Sequence, residues 1–221
     1  MKFNPNIHNR RSIRLAEYDY SLAGAYFVTI CTQGREYLFG EVVNGGMQLN
    51  DAGHMVQTVW GNLPERFAGI ELDEFVTKPN HVHGIIVLIG APLVGALGGG
   101  ADGEKNHAKT RSWAGTRPAP TNARKQNMAA VKPAPALGEI VGVFKSITTH
   151  EYVLGIEQHG WPSFSGRLWH RNYYEHIIRN EKVLDNIRQY IAENPMRWEF
   201  DRENPAAQPD ALQQNFWKEM A

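Results

Sequence analysis

The chain has a single cysteine, no apolar stretch of signal length near its start, no run long enough to span a membrane and no surplus of either charge. The lone thiol, Cys31, cannot close an internal disulfide, and its place in the apolar run Tyr26-Phe27-Val28-Thr29-Ile30-Cys31 reads as a buried strand position. Without spans or leader, and with Lys2, Arg10, Arg11 and Arg14 at the start, the expected compartment is the cytoplasm, with no membrane partner. Lys plus Arg number 23, as do Asp plus Glu, so the whole-chain charge argues neither for nor against a polyanionic partner. Only the distribution of charge is informative. Basic residues gather at Arg10, Arg11 and Arg14 and again between Lys105 and Lys132. No internal repeat and no phosphate-cradling glycine loop is present.

The 221 residues suit one domain, 1–221, with a basic arm at 1–21, an insertion at 90–136 and a polar tail at 199–221 that is expected to be loosely attached. The insertion is rich in Gly, Ala and Pro and has too few large apolar side chains to offset its ordering entropy. Its Trp113, Arg111, Arg117, Arg124 and Lys125 read as parts of a solvated linker, with contact to nucleic acid as the alternative. Around it, alternation predicts strands at 26–33, 70–77 and 82–89, and a small hairpin, 39–43 with 47–49, about Asn44-Gly45-Gly46. Helical spacing predicts a helix over 51–67 capped by Asn50 or Asp51, weakening or ending at Pro64. A second helix is expected over 137–154, with Ile140, Val141, Phe144, Ile147 and Tyr152 inward. Residues 168–178 read as a strand or extended segment. A final helix starts at Asn180 and ends before Pro195, which biases Asn194 away from the α region. This order predicts an α+β class, a ferredoxin-like antiparallel sheet packed by helices with an additional C-terminal helix.

Two stretches carry chemistry. In Pro79-Asn80-His81-Val82-His83-Gly84 the histidines are two apart on a strand, so both imidazoles project to one face while Val82 and Ile86 take the other. Such a pair supplies two ligands and leaves open positions around a metal. On the last helix Tyr190 and Asn194 are four apart, which places a hydroxyl nucleophile beside a third, oxygen-donating ligand. They fall at the border of the apolar stripe formed by Leu184, Ile187 and Ile191. A tyrosine hydroxyl can attack phosphorus when a metal polarises the phosphoryl oxygen, and the resulting phosphotyrosine preserves the bond energy for rejoining. Tyr173 and Tyr174 compete as nucleophiles but have no companion ligand at helical spacing.

Asn80-His81-Val82-His83-Gly84, the segment from Leu168 to Asn180 and the ending Tyr190-Ile191-Ala192-Glu193-Asn194-Pro195 together resemble the single-tyrosine HUH transposases, and among them the REP-associated tyrosine transposases. The likeness covers about 18–198, interrupted by the insertion. It implies a ferredoxin-like domain that nicks and rejoins single-stranded or hairpin DNA at repeated palindromes, using Mg²⁺ or Mn²⁺. His81 and His83 match the family's metal pair and Tyr190 its nucleophile. Asn194 occupies the third-ligand place, where many relatives have glutamine. Imidazole also suits Zn²⁺, Ni²⁺ or Co²⁺, so ligand chemistry does not select the ion. Lys145 reads equally as a phosphate contact or a solvated lysine, His176 as a base-stacking or a packing residue, and Arg10, Arg11 and Arg14 as DNA contacts or a free basic arm. A monomer and a homodimer are both compatible. A DNA-hairpin-binding module without chemistry is the alternative; a histidine-triad hydrolase is set aside because it needs a further histidine where Ile85 stands.

Overall fold

The computed structural model describes residues 18–89 and 135–208. Arg10, Arg11, Arg14 and all of the insertion except 135–136 lie outside the described residues. The first strand, β1 (Gly24–Cys31), is buried along its whole length. A hairpin follows, β2 (Gly40–Val43) and β3 (Gly46–Leu49). Its turn residues Asn44 and Gly45 have φ of 52° and 75°, the paired left-handed conformations that a two-residue hairpin turn demands.

Helix α1 (Asp51–Gly61) starts where expected, with the Asn50 side chain accepting from the Gly53 amide at 2.9 Å. It ends earlier than the periodicity predicts. Asn62 leaves the helical conformation, and Pro64 sits in the first turn of the short α2 (Leu63–Arg66), where its missing N–H costs no intrahelical bond. Strands β4 (Ile70–Thr77) and β5 (His81–Leu88) are joined by the turn Lys78-Pro79-Asn80.

Helix α3 (Leu137–His159) outruns its predicted end and stops at Gly160, whose φ of 69° is a left-handed C-terminal cap. Its inward face contains Thr148 in place of the expected Ile147, which is only half-buried. The Thr148 hydroxyl donates to the Phe144 carbonyl and accepts the indole N–H of Trp169 at 2.7 Å, so its burial leaves nothing unsatisfied. Of the segment 168–178 only β6 (Tyr174–Ile178) is a strand. Helix α4 (Glu181–Glu193) begins with the Asn180 side chain accepting from the Val183 amide. Asn194 is helical (φ −57°, ψ −38°), contrary to the expectation from Pro195: the chain tightens into a 3-10 segment, Asn194–Phe200, whose first turn tolerates proline.

All pairings in the main sheet are antiparallel, in the order β4-β5-β1-β6. This is the ferredoxin-like arrangement, with the hairpin inserted after β1. Alternation along β1 and β5 divides the core. Tyr26, Val28, Ile30, Val82 and Ile86 pack with α1 and α3; Ala25, Phe27 and Ile85 pack with Ile187, Tyr190 and Ile191 of α4. Gly84 serves the first face by having no side chain, since an added Cβ would lie 2.4 Å from the Trp60 ring. On the second face Arg188 grips Asp73 of β4 with two nitrogens, at 2.9 and 2.6 Å, which holds α4 across the sheet.

The start of the expected loose tail is fastened. Asp201, Glu203 and Asn204 are all buried. Glu203 pairs with Arg35, and the Tyr37 hydroxyl donates to Asn204 Oδ1 at 2.6 Å. Asp201, Glu203 and Asn204 are therefore interior contacts of the α4 face, while Glu199, Arg202 and Gln208 stay exposed. Among the described residues no helix is long and apolar enough to cross a membrane.

Candidate metal centre

Both histidines open β5 on its α4 face, 0% and 2% exposed. Their Nε2 atoms are 3.0 Å apart, and the hydrogen bonds around them fix most of the tautomers. Asn80 Nδ2 donates to the carbonyls of Arg35 and Glu203, so its Oδ1 must face the imidazole of His81, 2.7 Å from Nδ1. Nδ1 therefore carries the proton, leaving the His81 Nε2 lone pair aimed at His83. On His83, Nδ1 lies 2.8 Å from the Thr29 hydroxyl. If threonine donates, His83 Nε2–H bonds to His81. If His83 Nδ1–H donates, both Nε2 lone pairs converge on one point, which is the state a cation requires.

Asp201 supplies the third group. Its Oδ2 is 3.5 Å from His81 Nε2, and donor atoms of His81, His83 and Asp201 all lie within 4.8 Å of one another. These residues can hold a metal ion. Two nitrogens at this separation subtend roughly a right angle at an ion about 2.1 Å from each, so the pair fits adjacent positions of an octahedral shell. Asp201 Oδ2 accepts no hydrogen bond among the described residues, which leaves an oxygen available for a ligand role. Cys31 is beside the cluster but does not join it: burial pushes its thiol up to about 12, and it donates to Glu203 Oε2.

The electrostatics of the site are set by burial. Desolvation, and then mutual repulsion with His83 and the nearby Lys78, holds His81 well below the usual histidine range; His83 is lowered by desolvation and by Lys78. Both are neutral, as ligands must be. Burial raises Asp201 to about 6 and lowers Lys78 to about 8. Lys78 has no exposed surface; its Nζ donates to the Asn194 carbonyl at 2.8 Å and lies 4.8 Å from the centre of the Trp198 ring. This lysine fastens the end of α4 to the turn leading into His81.

Tyr190 comes to the same face from α4. Its ring stands edge-on to His83 at 5.5 Å and to Phe27 at 6.1 Å. It lines a cavity of about 190 Å³ together with Thr29, His83, Tyr174, His176 and Arg202. The Arg202 guanidinium lies over Tyr174 at 4.9 Å and donates to Glu203 Oε1. His176 thus sits in the cavity wall, where burial lowers its pKa. Asn194 is buried with neither side-chain polar atom hydrogen-bonded among the described residues. Tyr173 is a core residue, whereas Tyr174 is partly exposed at the cavity. Lys145 is on α3, across the sheet, where its ammonium donates to the carbonyls of His170, Arg171 and Asn172 at 3.0 to 3.4 Å.

Sequence reasoning missed Asp201, Arg202 and Lys78. The first two follow the aromatic Trp198 and Phe200 with no periodicity to mark them, and a lysine in a turn ordinarily faces water.

The fold and the cluster define a ferredoxin-like α+β protein with a His-His-Asp group able to bind metal. The chain is 38% identical over 204 residues to an uncharacterized protein of Haemophilus influenzae, covering 91% of this chain and 96% of that one, and it belongs to the same family. No protein-family model matches it. Among solved structures it is similar to a REP-associated tyrosine transposase bound to a REP hairpin (16% identity, 84% of this chain and 74% of that one, TM-score 0.47). Another similar structure is a Deinococcus radiodurans protein provisionally assigned as a transposase (14% identity, 82% and 96% covered, TM-score 0.38).

Proposed function

We propose that this protein is a metal-dependent transesterase of single-stranded or hairpin DNA, a single-tyrosine HUH transposase in which Tyr190 is the nucleophile. The observation that carries the reading is the shared cavity: Tyr190 from α4 and His83 from β5 line one opening together with the cation Arg202. His81 and His83 would hold the ion, with Asp201 and, following the sequence resemblance, Asn194 as oxygen donors. A divalent ion there, Mg²⁺ or Mn²⁺, would polarise a phosphoryl oxygen and offset the charge of the transition state.

The Tyr190 oxygen attacks the scissile phosphorus and releases the phenolic proton; the bond to the 3′ oxygen breaks, and that oxygen takes up a proton. The 5′ phosphate remains on Tyr190 until a 3′ hydroxyl attacks it and rejoins the strand. Arg202, paired with Glu203, is the cation of the cavity wall, and it would offset charge on a bound phosphate against the carboxylates Glu175 and Glu203 that line the same opening. Phe27, Tyr174 and His176 give the cavity aromatic walls on which an unpaired base can stack.

The test uses a labelled oligonucleotide with a hairpin and a single-stranded flank, incubated with Mg²⁺, with Mn²⁺ and with chelator. Metal-dependent cleavage is expected, with the fragment bearing the 5′ phosphate attached to protein. Tyr190→Phe should abolish attachment and spare binding; cleavage by that variant at the parental rate removes Tyr190 as nucleophile. Binding without cleavage by the parent under both metals leaves a hairpin-binding protein without chemistry.

A further inference from the structure

Lys78 stands in the turn between β4 and β5 and has no exposed surface. Its ammonium donates to the Asn194 carbonyl at 2.8 Å, lies 4.8 Å from the centre of the Trp198 ring and is drawn electrostatically to Asp201. Burial lowers its pKa to about 8, so the charge is present at neutral pH. Taking an ammonium out of water is costly, and a methionine of similar length fills such a space without that cost. What the lysine adds is a directed bond.

The carbonyl it binds is at the end of α4, where a helix lacks partners of its own. The last four carbonyls of any helix have no intrahelical amide to meet them. In α4 the following Pro195 takes away one more N–H, the Asn194 amide turns back to the Ile191 carbonyl, and no basic residue stands in the last turn. Lys78 supplies from another element the cation that the negative end of the helix dipole favours. Asn194 is about one turn past Tyr190. A helix transmits a displacement of its end as a rod does, so the lysine bond fixes where the phenol stands.

The turn from which Lys78 reaches is itself held. Its own amide donates to the His81 carbonyl at 2.8 Å, the Pro79 carbonyl accepts the amides of Leu38 and Phe39 at 2.8 and 3.1 Å, and the Asn80 carbonyl accepts the Thr32 amide at 2.8 Å. The Asn80 side chain then orients the His81 ring. One turn therefore governs both halves of the site: its asparagine sets an imidazole and its lysine sets the helix that carries the phenol. The other tie of α4 is the half-buried Arg188, which grips Asp73 in the middle of β4. A helix tied at one point can pivot; tied at two it cannot.

We propose that Lys78 is a positioning residue, which caps α4 from the turn before His81 and so sets the distance between the Tyr190 hydroxyl and the ion held by His81 and His83. This role rests on the function proposed above.

The experiment labels the full chain with 3-fluorotyrosine and follows the ¹⁹F resonance of Tyr190, assigned by its loss in Tyr190→Phe, as Mn²⁺ is added. Paramagnetic broadening falls steeply with distance. The ion should broaden this signal strongly in the parent and less in Lys78→Met, and Lys78→Arg, which keeps a cationic donor, should recover most of the broadening. Cleavage of the hairpin oligonucleotide is measured alongside: in Lys78→Met kcat should drop by about tenfold to a hundredfold, as a displacement of about 1 Å allows, while KM and Mn²⁺ affinity stay within about threefold. Loss of a neighbouring positive charge does not weaken a cation site, which separates lost position from a damaged fold. Thermal midpoints check folding, and Lys78→Gln, which keeps a neutral donor, takes the place of the methionine variant if that one is unstable. Unchanged broadening and kcat in the folded variant overturn the proposal, as does a loss of Mn²⁺ affinity equal to the loss of kcat. A parent that shows this broadening pattern but never cuts DNA keeps the role of Lys78 and removes the transesterase; cutting through Tyr190 with a kcat indifferent to Lys78 does the reverse.

Discussion

The two faces of the main sheet are built from the same strands, residue by residue in alternation, and they differ in what holds them. Toward α1 and α3 the strands present Tyr26, Val28, Ile30, Val82, Ile86 and Leu88, which meet Trp60, Phe144 and Tyr152 in the larger of the two apolar clusters. Toward α4 they present Thr29, Cys31, His81 and His83, and the apolar contacts there reduce to a smaller cluster around Phe27, Ile85, Ile187 and Ile191. Polar ties make up the difference. Arg188 to Asp73, Lys78 to the Asn194 carbonyl and Arg35 to Glu203 hold α4 and the following segment over the histidines. One face supplies stability that is non-directional and scales with area. The other supplies fixed positions for donor atoms, because hydrogen bonds and ion pairs have geometry that apolar contacts lack.

This contrast can be broken in three ways. The largest change in metal binding is expected on the polar face: His83→Ala removes a donor from the cluster and should weaken Mn²⁺ binding by roughly a hundredfold or more, measured by calorimetric titration, since even loss of a supporting contact costs ten- to a hundredfold. Unchanged affinity would mean that the ion, if one binds, is held elsewhere. The second effect belongs to the apolar face. Phe144→Ala should cost about 3–5 kcal/mol of unfolding free energy in urea, the ordinary cost of emptying a buried phenyl site. Mn²⁺ affinity of the folded protein should be unaltered, and a parallel fall would show that the faces are not separable.

The third and smallest effect is pH dependence in the presence of chelator. The folded-state pKa values of His81 and His83 lie well below their ordinary 6.5. As pH falls below 6.5 the unfolded chain takes up protons that the folded chain refuses, so stability present at neutral pH is lost, by up to about 1.4 kcal/mol per pH unit for each imidazole. Asp201 works the other way. Its folded value of about 6 lies above the ordinary 3.8, so its contribution is complete in acid and is lost as pH rises through 6. His81 and His83 against Asp201 give a net decline of about 1.4 kcal/mol per unit from pH 6 to 5, to which the lowered His176 adds in the same direction, read from urea midpoints. Asp201→Asn should steepen it. A flat profile for the parent would show that the imidazoles are not buried neutral.

Much of this organisation is legible in the residue order because it depends on short-range periodicity. His81 and His83 share a face because a strand alternates, and Asn50 and Asn180 cap helices because their amides reach the third residue on. Errors arose where a distant partner changed a local preference. Thr148 is inside because Trp169 supplies its hydrogen bond. Residues 201–204 are buried because Arg35, Tyr37 and Asn80 bind them, and no pattern within a polar segment announces that. Pro195 disfavours a helical Asn194 only statistically, and the change to a 3-10 segment accommodates it.

The sequence by itself determined the ferredoxin-like order of strands and helices, the pairing of the two imidazoles on one face and the site-facing flank of α4, since each follows from a repeat of two or of 3.6 residues along the chain. Tertiary structure alone decided that Asp201 stands beside His81 and that Lys78 is an interior clamp. Those facts join residues with no fixed spacing, and only the packing of the folded chain sets the distances over which charge and coordination act.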